Sequence, residues 1–142
     1  MNRDVWATIA ATIAVVVVVI LGFHALGGPR SQRLIQSDHR TLRALSRLSE
    51  QINTKWTSSV GVLPANLDGF PDSEKRNPVT NKPFVYHPKA GNAYELCATF
   101  ATDSHDSQGQ DSTDSWAHPK GDYCFQLDAS QPAPPLPNSY DY

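Results

Sequence analysis

The residues that could carry chemistry in this chain of 142 residues are few: two cysteines, five histidines and one acid-rich segment. Cys97 and Cys124 belong to no CxxC or CxxxC pair, and each lies in a segment that reads as a strand. An even cysteine count fits one disulfide, which makes the pair Cys97 and Cys124 the expected bridge. Two reduced thiols in a core are a weaker alternative, and so is a metal site drawing in His118, because four ligands at a known spacing cannot be assembled. Asp103 to Ser115, DSHDSQGQDSTDS, contains no apolar residue. Its carboxylates Asp103, Asp106, Asp111 and Asp114 are the hard oxygen ligands that calcium takes, though the spacing is not that of an EF-hand and a solvated loop accounts for the same composition. No other cofactor is implied. His87, His105 and His118 have no nucleophile at a telling distance, and no GxSxG, HExxH, P-loop or GxGxxG occurs, so an enzyme is not expected.

The elements that must position these residues follow from hydropathy. Val5 to Pro29 holds no Asp, Glu, Lys or Arg. Val5 to Leu26 has the length of a bilayer-crossing helix, and an uncleaved single-pass anchor over 1–29 is expected rather than a cleaved signal peptide. Lipid bilayer is then the first partner. Asn2-Arg3 before the helix is less basic than Arg30, Arg33 and Arg40 after it, which favours a cytoplasmic C-terminal domain. The disulfide argues the opposite, and the expected placement is the cell membrane with the domain periplasmic or extracellular.

Gly27-Gly28-Pro29 breaks the helix, and Ser31 can cap a second one. Leu34, Ile35, Asp38, Leu42, Leu45, Leu48, Ile52 and Trp56 recur at steps of three or four, predicting an amphipathic helix over 31–57. Arg33, Arg40, Arg43 and Arg47 lie off that stripe, with no aromatics interleaved to stack on bases, so nucleic acid is not an expected partner. Gly61 to Leu67 reads as a turn and a short helical piece that Gly69 and Pro71 end. Three strands follow, at 83–87, 93–102 and 122–127. Tyr94, Leu96, Ala98 and Phe100 share one face of the second, with Cys97 on the other; Tyr123 and Phe125 share a face of the third, with Cys124 and Gln126 opposite. From Ser130 onward SQPAPPLPNSYDY lacks apolar periodicity and is expected to be a disordered tail. The fold class is therefore α+β: a transmembrane helix, then a long amphipathic helix packed on a small antiparallel sheet, with boundaries 1–29, 30–129 and 130–142.

In this order of parts the chain resembles the type II secretion pseudopilins and type IV pilin-like proteins. Gly61, Leu63-Pro64, Leu67, Asn77-Pro78, Pro83-Phe84-Val85-Tyr86 and Tyr94-Glu95-Leu96 stand in the order of that family's glycine, apolar-Pro, leucine, turn, aromatic strand and Tyr-x-Leu. The start Met1-Asn2-Arg3-Asp4-Val5-Trp6 carries neither the basic leader nor the Phe-Thr-Leu-x-Glu head of a prepilin. The resemblance implies a non-enzymatic structural or interaction protein of the bacterial envelope, with pilin-like or other membrane-anchored subunits as partners. A calcium- or ligand-binding sensory domain is the alternative.

Overall fold

The computed structural model describes residues 3–25, 29–104 and 115–136, with side chains described from 6 to 22 and again from 30. The element order is α1 (Arg3–Ala25), α2 (Pro29–Ser58), β1 (Val85–Pro88), β2 (Ala93–Phe100) and β3 (Gly121–Asp128). Two compact units result, Met1–Arg33 and Leu34–Tyr142.

In the first unit, α1 forms because alanine, isoleucine and valine run without an interior proline. Among the described residues no helix is long and apolar enough to cross a membrane. The expected transmembrane anchor is corrected accordingly. The placement in the cell membrane, with a domain on its periplasmic or extracellular side, falls with it.

In the second unit the α+β expectation holds. The helix α2 that enters it starts at Pro29, in the first unit, where a missing N–H costs nothing and a fixed φ helps. Leu42, Leu45, Leu48 and Ile52 are fully buried, each worth roughly 2 kcal/mol. Leu34, at the head of the predicted stripe, is 45% exposed. The buried stripe packs with Tyr94, Leu96, Phe100, Phe125, Leu127 and Trp116 in one core. The sheet is antiparallel in the order β1-β2-β3. Alternation fixes its faces: Tyr94, Leu96 and Phe100 of β2 and Phe125 and Leu127 of β3 are buried, while Thr99, Asp122, Cys124 and Gln126 are exposed.

Two local expectations differ. Residues 63–69 form turns instead of a helical piece, since Pro64 and Gly69 bracket too few residues for a nucleated helix. The Pro-rich segment expected to be disordered is placed as far as Leu136. Asn53 donates to the Gln131 carbonyl at 2.8 Å, Trp116 Nε1 donates to the Pro134 carbonyl at 2.9 Å, and Leu136 packs on the core. Buried Trp116 requires an acceptor for its N–H, and the tail supplies one.

Candidate interaction surface

Cys97 and Cys124 are directly opposed in the β2–β3 register and joined by a disulfide. Each cysteine lies, as expected, on the face opposite its strand's aromatic residues. The bridge lies on the sheet face turned away from α2, with Cys124 exposed and Cys97 buried, flanked by Glu95, Thr99, Asp122 and Gln126. Around it, Thr99 donates to Asp122 and Gln126 to Glu95, while Lys89 pairs with Glu95 at 3.1 Å. Hydrogen bonding from Lys89, then from Gln126, holds the Glu95 carboxyl below its ordinary range. At the far end of β3, Asp128 accepts from the Ser130 hydroxyl at 2.6 Å and the Ser130 amide at 2.8 Å, and these bonds lower its pKa in the same direction. This outer face is a layer of cross-strand pairs on a pinned two-strand ribbon, rigid and polar.

The acid-rich segment gives a different outcome. Asp103 follows β2, half-buried; Asp106, Asp111 and Asp114 lie outside the described residues. Among the described residues no three His, Cys, Asp or Glu side chains are grouped as a metal ion would need. The neck of this segment is built by partners that periodicity does not reveal. Asp38, on α2 and only 3% exposed, accepts from the Ala101 amide at 2.9 Å, the Thr102 amide at 2.7 Å and the Thr102 hydroxyl at 2.7 Å. Buried Ser104 donates through its hydroxyl to the His118 carbonyl at 3.0 Å and accepts from the His118 amide at 2.8 Å. The His118 ring stacks on Phe100 with centroids 3.8 Å apart. His39, next to Asp38, is held below the ordinary histidine pKa by burial and by Arg43.

His87 and His118 do not converge. His87 is exposed opposite Glu95 on β1, and His118 is buried beside Phe100. Five residues of strand, about 17 Å, separate those two stations on β2. His105 lies outside the described residues. Ser104 is engaged by backbone on both sides, leaving its oxygen oriented by a loop closure rather than by a base. Sequence reasoning missed Asp38 as a clamp, although the signal was present: an acid on an otherwise apolar stripe must find buried donors.

Hydrophobic exposure is concentrated elsewhere. Every described side chain of α1 from Trp6 to Leu21 is exposed, including Trp6 at 74% and Val18 at 68%. The sequence places no charge anywhere in this run. Comparison of the chain with known protein families, characterised proteins and solved structures finds no match.

Proposed function

We infer that the chain is a non-enzymatic interaction protein, in which α1 is an assembly element and the 34–136 unit is the rigid module it carries. One observation supports this above the rest: α1 exposes apolar side chains on all its faces. A helix with one apolar stripe is satisfied by its own domain, whereas one that is apolar all round requires surrounding apolar elements. The occupant that fits is a set of helices of the same kind, supplied by further copies of this chain, since a single groove would cover only one stripe. The resemblance to pilin-like subunits, which assemble through an N-terminal helix, agrees in kind. The polar clusters of the second unit support a module over a catalyst, because each described member closes a turn, a strand end or a cross-strand pair.

Sedimentation of the full chain and of a Val16→Lys/Val18→Lys variant tests the reading. The expected result is a discrete assembly of several copies that the two lysines disperse. A wild-type chain that is monomeric at micromolar concentration, or an assembly indifferent to both lysines, overturns it.

A further inference from the structure

The two edges of the sheet are unequal. β1 has four residues and ends in Pro88, which has no N–H, and its approach is occupied by the Phe84 amide donating to the Lys75 carbonyl and by the Arg76–Pro83 bridge. Such features blunt an edge. β3 has eight residues and no proline. Its backbone polarity follows from the register. Cys97 and Cys124 stand 3.9 Å apart between Cα atoms, the close spacing of a non-hydrogen-bonded pair. Tyr123 and Phe125 therefore exchange bonds with Ala98 and Leu96, and the N–H and C=O groups of Asp122, Cys124 and Gln126 point out of the sheet in its plane. No backbone bond from another described segment reaches these three residues.

A second β3 laid antiparallel on this edge must pair even-numbered residues with even-numbered ones. Charge then chooses among the registers. Centring on Phe125 sets Asp122 against Asp128 twice, which is repulsive. Centring on Cys124 sets Asp122 against Gln126 and brings Lys120 of each copy to Asp128 of the other. On the core side the same register aligns Tyr123 with Phe125, extending the edge-to-face contact that these rings already make within one chain at 5.0 Å. Lys120 is exposed just before the bend at Gly121, where φ is +107°, and its flexible stem spans the remaining gap.

We propose that β3 is a homotypic docking edge, through which a second copy of this chain adds antiparallel in the register centred on Cys124, closed by two Lys120–Asp128 ion pairs. This rests on the interaction reading but uses a different surface from α1. Opposite charges facing across strands favour the register and like charges oppose it.

Zero-length carbodiimide coupling on the full chain, read by peptide mass spectrometry, tests it. Within one chain Lys120 and Asp128 are eight residues of strand apart, about 26 Å, so a 120–128 amide forms only between copies. That crosslink is the expected product. Lys120→Glu, placing like charges opposite each other twice, is expected to weaken self-association about tenfold, while Lys120→Arg preserves it. Gln126→Pro removes an outward N–H that the sheet does not use, and is expected to weaken association without unfolding the chain. The Val16→Lys/Val18→Lys variant separates the two surfaces. A 120–128 crosslink that persists there supports the β3 edge whatever becomes of α1. Assembly that the α1 lysines abolish, with no 120–128 crosslink in the wild type, overturns the β3 edge and leaves the α1 reading standing. Equal association of Lys120→Glu and wild type also overturns it.

Discussion

Replacing Asp38 by alanine tests whether the contact between α2 and the end of β2 is held by charge-assisted hydrogen bonds. The Asp38 carboxylate, 3% exposed, accepts from two amides and one hydroxyl across 63 and 64 residues of sequence. A hydrogen bond to a charged group contributes about 1.5–3 kcal/mol, and a buried donor left without an acceptor incurs its full desolvation cost. Ala101 and Thr102 are half-buried, so water can recover part of that loss. The net expectation for Asp38→Ala is about 3 kcal/mol of lost stability. In urea, with a slope of about 1.5 kcal/mol/M for a unit this size, the midpoint moves down by about 2 M. Asp38→Asn keeps one acceptor oxygen but turns an amide toward the same donors, and should lose about half as much, which secures the comparison should the alanine variant not fold. Asp68→Ala, at an exposed position, is the control and should stay within about 0.5 kcal/mol of wild type. The assay is equilibrium unfolding with the disulfide intact, followed by tryptophan fluorescence, since Trp116 is fully buried. A loss below about 1 kcal/mol for Asp38→Ala at unchanged slope would refute the clamp, because water would then be replacing the carboxylate without penalty.

Three further outcomes follow from the same geometry. The disulfide closes a sequence separation of 27, so Cys97→Ser/Cys124→Ser should lower stability by about 3.5 kcal/mol in matched denaturation curves; a loss under about 1 kcal/mol would show that restricting the unfolded chain is not its role. His39 has a folded pKa below its unfolded 6.5, chiefly through burial. The fold therefore favours the neutral ring, and stability should fall as pH drops through 6.5 toward the folded pKa. His39→Gln should flatten that slope, and an unchanged slope would assign it to other groups. Trp56 Nε1 is buried with no hydrogen-bond partner among the described residues, so Trp56→Phe removes an unsatisfied donor along with some packing. Thermal unfolding should register a change within about 1 kcal/mol of zero, and a loss above about 2 kcal/mol would mean that ring volume dominates.

What could be read from the sequence was periodic. Leu42, Leu45, Leu48 and Ile52 recur at the helical repeat and are all buried. The two-residue repeat of β2 and β3 put Cys97 and Cys124 on the same outer face before any pairing was known, and that suffices to permit a bridge once the strands are neighbours. Periodicity weakens where an element outlasts its core. Leu34 obeys the stripe yet stays exposed, because burial of α2 begins with Asp38, where β2 ends against it. It fails where a partner is remote. Asp38 needed Thr102, and the Pro-rich tail needed Trp116, whose indole N–H makes an ordered acceptor of the Pro134 carbonyl. Composition alone marks such a tail as unable to bury itself, without saying that another residue's unmet hydrogen bond will hold it.

The α1 helix shows the same limit from the other side. Its hydropathy states that it needs covering, but the covering element is not a property of hydropathy. The β3 edge lies further beyond reach of pattern. Side-chain alternation reports which face of a strand is buried, whereas the direction of its N–H groups within the sheet depends on whether a given pair is hydrogen-bonded, and that depends on register. At Cys124 the close spacing of the disulfide-linked pair reports that register. The pair that the sequence made easiest to anticipate is therefore also the one that identifies which backbone groups of β3 face out of the sheet.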